Sequence, residues 1–210
     1  MFGDTKINER IYAIIRKTPL VGPIFRIVNA YAYKGDVACN NEIAPFTAWW
    51  SRVFKKAMYV LLFIELIIIF NGNNVSKIKW EPADAIISVF PSVLGFGMGV
   101  FALLFIMPES FLGFLIRNRK SLSIGPEIVP VDIGYPLVVF TFSLAWAAFN
   151  KIFANDFTFC ISMFVFFYGL AMAFELISFL FNSSLLIQNI SMKEYNQSQF
   201  LKLKNKIKRK

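Results

Sequence analysis

The stretch FPSVLGFGMGVFALL, residues 90–104, holds three glycines in five positions, and its reading decides the fold. A dinucleotide-binding loop needs G-x-G-x-x-G between a strand and a helix, with an acidic residue about 20 positions on, and a P-loop needs Gly-Lys followed by Ser or Thr. Here Gly95, Gly97 and Gly99 read G-F-G-M-G inside an apolar run at 84–106, with no lysine to hold phosphate. As a helix, the same stretch puts Gly95 and Gly99 four apart on one face, extended by Ala102, where a second backbone can approach closely. The run therefore reads as a membrane helix with a smooth packing strip. Gly97 falls off that strip, near Pro91.

Composition points the same way. Of 210 residues, 57% are hydrophobic and 17% charged, against about 45–50% apolar and about 25% charged in a soluble domain. The mean hydropathy is +0.57, and 25 Phe are too many for one soluble core of this size. The chain has no His, which removes the usual general base, the commonest metal ligand and any Ser-His-Asp or Cys-His arrangement. Cys39 and Cys160 fall in a polar segment and an apolar run respectively, so neither a disulfide framework nor a metal site is indicated. No cofactor and no metal are expected.

Four apolar runs stand out, at 57–70, 84–106, 133–149 and 157–181. The first has only 14 residues, about 21 Å of helix, so Val53, Phe54 and the snorkelling Lys55 and Lys56 must help it across about 30 Å of hydrocarbon. The resulting expectation is an all-α membrane protein with four transmembrane helices. Residues 1–52 would form amphipathic helices, 53–182 the membrane domain and 183–210 a basic tail. Of 22 Lys and Arg, 19 fall in the N-terminal segment, the loop with Arg117, Arg119 and Lys120, and the tail, whereas Lys77, Lys79 and Lys151 fall in the other connections. The positive-inside rule then puts both termini in the cytoplasm.

Ahead of the first span, TKINERIYAIIRK (5–17) places Ile7, Ile11, Ile14 and Ile15 at helical spacing, and a second helix begins after Pro23 and stops at Gly35. With Trp49 and Trp50 following, these helices either lie in the headgroup layer or pack on one another beneath the bundle. Weaker small-residue pairs recur at Ser143 and Ala147 and at Gly169 and Ala173. Several such strips in four helices favour a homo-oligomer.

Two acids interrupt the apolar runs, Glu65 and Glu175. An ionised carboxylate there costs about 2.5–3.5 kcal/mol, so each should face protein or water or stay protonated. Counted from the inner ends of their runs, Glu65 lies about 12 Å deep and Glu175 about 9 Å. At similar depth they could form an acidic ring, share a proton, or accept hydrogen bonds from Ser178 or Tyr59; alternatively each is a protonated interhelical contact and nothing more. Glu81, Asp84, Glu127 and Asp132 are acids of the right type for a lipid-acting enzyme, but the first two are expected outside and the last two inside.

In the tail, Phe200, Leu203 and Ile207 share a helical face among Lys202, Lys204, Lys206, Lys208, Arg209 and Lys210. That suits anionic lipid or a cytoplasmic protein partner, and direct nucleic-acid binding is not expected. The closing KIKRK also matches a di-lysine retrieval signal, and Asn74-Val75-Ser76 is a glycosylation sequon on the expected outer side.

In size, span count and the run FPSVLGFGMGVFALLF of the second span, residues 57–182 resemble the membrane subunits of anti-phage defence systems and are similar to the four-span subunit of Kiwa. That resemblance implies a homo-oligomer in the bacterial inner membrane that senses phage-induced envelope disturbance and works with a separate cytoplasmic, DNA-binding effector. It transfers no residue-level site. The expected function is a non-enzymatic subunit that transduces envelope state to a cytoplasmic partner. A pore-forming channel or depolarising effector lined by the first or fourth span is the alternative, and it predicts ion flux from the protein alone.

Overall fold

The computed structural model describes residues 2–72, 75, 78–103, 113, 116 and 127–208, without the side chains of 2–6, 103, 190, 194 and 197–208. Asn74 and Ser76 of the sequon, Arg117, Arg119, Lys120, Arg209 and Lys210 lie outside the described residues. Among the described residues every regular element is helical and there is no strand. Helices α1 (Phe2–Lys17) and α2 (Val21–Ala32) precede a short 3₁₀ turn, Val37–Asn40. Helix α3 (Phe46–Trp49) passes through one π-helical turn, Trp50–Phe54, into α4 (Lys55–Phe70). Helices α5 (Pro82–Leu103), α6 (Ile128–Ile152) and α7 (Asp156–Lys208) complete the chain.

Three helices are long and apolar enough to cross a membrane, over Pro82–Ala102, Ile128–Ile152 and Asp156–Lys193. Helix α4 is shorter: its 16 residues rise about 24 Å, less than the about 30 Å of a hydrocarbon core. Two boundaries differ from the sequence expectation. Helix α6 begins at Ile128, ahead of the apolar run that starts at 133, and the Asp132 it thereby includes has a cationic partner in Arg52. Helix α7 does not stop at 181 but runs to Lys208, and no Gly or Pro after Gly169 is there to end it.

Helix α6 is the centre of the bundle and packs against α5, α7 and α2, whereas α4 lies against α7. Phe90 fills the α5–α6–α7 junction, with Phe140 edge-on at 5.4 Å and Phe166 stacked at 5.8 Å. Only glycine fits opposite it: a Cβ at Gly169 would lie 2.5 Å from the Phe90 ring. At one end of the bundle Lys151 on α6 reaches Asp84 on α5 at 2.8 Å. The turn from α6 into α7 is closed by Asn155 and Thr158, each accepting the other's backbone N–H, a reciprocal cap on the start of α7.

The N-terminal helices pack on one another and on the bundle. Tyr12 of α1 meets Phe25 of α2 at 6.1 Å, and Phe25 stacks on Trp49 at 6.4 Å. Buried Asn29 donates to the carbonyls of Cys39 and Glu42 and accepts from Ala44 N, so one amide satisfies three backbone groups of the 39–44 loop. Gly35, at φ +77°, sits where a Cβ would come within 2.5 Å of the Glu127 carbonyl, so both the left-handed turn after α2 and the close approach to the start of α6 require glycine.

Candidate functional site

A charged network lies where α2, the π turn, α4, α6 and α7 converge. Its centre is Tyr31, the penultimate residue of α2 and fully buried. The ring of Tyr31 stacks on Tyr135 of α6, with centroids 3.9 Å apart and planes at 9°. Its hydroxyl donates to Glu175 Oε1 of α7 at 2.8 Å and accepts from Lys56 Nζ of α4. Lys56 also pairs with Glu175 Oε2. On the neighbouring turn, Arg52 pairs with Asp132 of α6 while its guanidinium lies over the Tyr31 ring, 4.1 Å from the centroid. Tyr135 in turn shares a 2.7 Å hydrogen bond with Tyr168 of α7.

Local geometry explains how so many groups meet. Arg52 and Lys56 are four apart, Asp132 and Tyr135 three apart, and Tyr168 and Glu175 seven apart, so each pair shares a face of its helix. The π turn carries Arg52, and such turns occur mostly singly inside α-helices, frequently at functional sites. Two cations and two carboxylates balance in charge, and the Arg52 and Asp132 side chains are only 16% and 15% exposed. Burial pushes the Tyr31 phenol well above its ordinary range, the Glu175 carboxylate adds to this, and Arg52 opposes it. Tyr31 is therefore a fixed neutral donor. Arg52 Nε is buried without a hydrogen-bond partner among the described residues, so the network is not fully satisfied.

The two acids singled out from the sequence do not meet. Glu175 sits in the network and is held by Tyr31 and Lys56, not by Ser178 or Tyr59. Glu65 faces outward from α4 and borders a cavity of about 500 Å³ with Ile64, Cys160 and Phe164. Lys56 is level with Glu175, and Phe63 is level with Phe167 at 5.1 Å. Nine residues beyond Lys56, Glu65 is therefore about 14 Å farther along the bundle. The expectation of similar depth fails because both helices continue past the ends of their apolar runs, so those ends are not a common reference plane.

The glycines divide differently from the expected strip. Gly95 and Gly99 face open space, where an added Cβ would meet nothing within 4 Å, and Ala102 is exposed beside them. Gly97 instead is the buried one, with Leu137 2.5 Å from its would-be Cβ. Gly169 lies against Phe90, and Ala173 packs half-buried on the core. The side chains of Lys202, Lys204, Lys206 and Lys208 lie outside the described residues, on the far end of α7. Asp84 and Asp132 are each taken up by a cation, Lys151 and Arg52, and no cluster of three or more His, Cys, Asp or Glu that could hold a metal occurs among the described residues.

Sequence reasoning missed Tyr31, Arg52, Tyr135 and Tyr168. A signal was present: polar groups recurring at helical spacing on the inner flanks of three apolar runs, two of them cations one turn apart. No protein family, curated protein or solved structure matches the chain.

Proposed function

We propose that this chain is a non-enzymatic, multi-pass subunit of the bacterial inner membrane that self-associates and passes the state of the envelope to a cytoplasmic protein partner. In this reading α4, extended through the π turn to a continuous helical path over 46–70, makes a fourth crossing: its 25 residues rise about 37 Å. Both termini lie in the cytoplasm, as the bias of Lys and Arg requires. Helices α1 and α2 then rest at the cytoplasmic headgroup layer, where a basic helix with an apolar face responds to lipid packing and charge.

One observation carries the proposal. The charged network ties α2, the interfacial element, to both α4 and α7, and α7 is a single helix of 53 residues, about 80 Å long. A displacement of α2 cannot leave Tyr31 bonded to Glu175, and Glu175 sits on the same rigid rod that ends in the basic tail. Input at the interface and output at the tail are joined by a few side chains. Defence against phage follows from the resemblance to the Kiwa subunit.

The test is proximity labelling in bacterial cells from the carboxyl end of the full chain, before and after envelope stress, with plating of phage alongside. A specific cytoplasmic protein should be labelled in the intact chain, with labelling that changes on stress. That change should vanish in Glu175→Gln, and labelling itself should vanish when residues 193–210 are removed. Labelling unaffected by stress, or a tail reached by a membrane-impermeant reagent from outside, refutes the proposal. Ion flux from the purified protein alone in liposomes would replace it with the channel reading.

A further inference from the structure

A second feature of the bundle has no part in the charged network but touches it. A cleft of about 700 Å³ opens between α2, α5, α6 and α7, lined by Ile27 and Val28 of α2, Leu94 and Met98 of α5, Gly134 and Val138 of α6, and Phe164 and Val165 of α7. Its rim is open at the bundle surface: Ile24, Met98 and Phe142 are 49%, 55% and 59% exposed. We infer that this cleft is a binding site for one acyl chain of a phospholipid in the leaflet on the α2 side, which the topology proposed above makes the cytoplasmic one.

Three observations choose this occupant. First, the walls are overwhelmingly apolar, and among the described residues their few hydroxyls are already engaged. The hydroxyls of Thr141 and Ser143 donate to the carbonyls of Leu137 and Val139 one turn earlier, at 2.9 Å and 2.7 Å, and the Tyr135 and Tyr168 hydroxyls bond each other. A polar ligand would lose its hydration for few partners in return, whereas a hydrocarbon loses nothing. Second, the size fits. The cleft runs along α6 from Gly134 to Ala145, a rise of about 16 Å, which matches half of an about 30 Å hydrocarbon core. Its volume is more than four times the about 150 Å³ cavity that houses benzene, which leaves room for a hydrocarbon chain rather than a small ring. Third, the position is selective. A chain in this cleft lies against α2, the interfacial helix, and against Tyr135 and Tyr168, and Tyr135 is the ring stacked on Tyr31.

The inference deepens the proposed function, on which it rests for its physiological meaning: it names a lipid chain as the ligand whose presence the network registers. A chain withdrawn by disturbed packing would leave α2 unsupported on the face that holds Tyr31 in place.

The experiment uses the full chain in phosphatidylcholine nanodiscs carrying a trace of phosphatidylcholine with a diazirine on one acyl chain. After irradiation, adducts are mapped by mass spectrometry. They should concentrate on peptides 94–98 and 134–145, in excess over the exposed α4 residues Leu61, Leu62 and Leu66, which report ordinary surrounding lipid. Filling the cleft with Val138→Trp or Thr141→Trp should abolish the excess, and Ile87→Trp, exposed on α5 away from the cleft, should keep it. Two cleft variants guard against one that fails to fold, as does the particle's elution volume. Equal labelling of α4 and the cleft overturns the inference, as does a cleft left unlabelled because residues 104–126 or a second copy occupy it. Absence of adducts on every span would instead refute membrane insertion itself, so the two failures are distinguishable.

Discussion

Removing one charge from the Lys56–Glu175 pair, and then both, tests whether the network is a single unit. Each side chain keeps 29% exposure, so Lys56→Met or Glu175→Leu alone should destabilise the chain by about 3 kcal/mol, the low end for a broken buried pair. The remaining charge is then stranded. In the double variant both charges are gone, and the Tyr31 hydroxyl, bonded among the described residues only to those two side chains, becomes an orphan costing about 1–2 kcal/mol. Adding Tyr31→Phe removes the orphan and should bring stability within about 1 kcal/mol of the parent, because the stacked ring pair is kept. Additive singles would total about 6 kcal/mol, so a double at about 1–2 kcal/mol means a coupling of about 4–5, well beyond the about 0.5 kcal/mol scatter of independent sites. The measurement is a denaturing-detergent titration in mixed micelles followed by circular dichroism. A double variant as unstable as the sum of the singles would refute the network, since independent sites would then account for everything.

Other outcomes follow from the same contacts. Gly169→Ala should lower stability by about 1–3 kcal/mol through collision with Phe90, while Gly95→Ala and Gly99→Ala gain helix propensity of about 1 kcal/mol each and leave the subunit's melting temperature no lower, changing only the particle mass seen by light scattering. Arg52→Lys keeps the charge opposite Asp132 but loses the planar contact over Tyr31, and should lower the melting midpoint by the equivalent of about 1–2 kcal/mol. Burial pushes the Cys39 thiol up from its ordinary value of 9.0, Arg26 pulling it down and Asp36 adding to the rise. Its folded pKa lies above the unfolded one, so its stabilising contribution is complete below pH 9.0 and is lost as the pH climbs through the raised value. In a Cys160→Ser background, alkylation of Cys39 should stay slow through pH 9.0 and reach its midpoint only above it, and a midpoint at or below 9.0 would contradict the burial.

The helical class and three of the apolar runs were legible because composition and periodicity are local signals that lipid does not override. Helix ends were less so. The apolar run at 133 began after the helix that carries it, which takes in Asp132 and its partner Arg52 80 positions away, and the run at 181 ended at a change of polarity where the backbone had no reason to stop. Glu175 was identified by its cost in hydrocarbon, a one-residue argument. Its partners were not, because Tyr31 lies in a segment that reads as separate from the membrane domain. Gly97 illustrates the same limit: helical spacing says which glycines share a face, and only the neighbours say which face is inside.

The network is better understood as a lock on register than as a source of stability. Apolar side chains of similar size would hold these helices as well or better, since desolvating two ion pairs consumes most of what their attraction returns. What apolar packing would not supply is discrimination between neighbouring registers. Arg52 and Lys56 stand one turn apart on the same face, opposite Asp132 on α6 and Glu175 on α7. If α4 slid by four residues, about 6 Å, one cation would arrive at the other's carboxylate and the second cation and carboxylate would be left alone. Stranding them costs about 3 kcal/mol or more, so at rest the slid register is populated at below about one part in a hundred. Loss of Tyr31 from between the two pairs removes the donor and the ring that keep them apart, and with it part of that difference. In the function proposed above, an element that supports Tyr31 would therefore control the register of α4 against α7 without touching either charge pair, which makes α2 and the cleft beside it the places where an input would act.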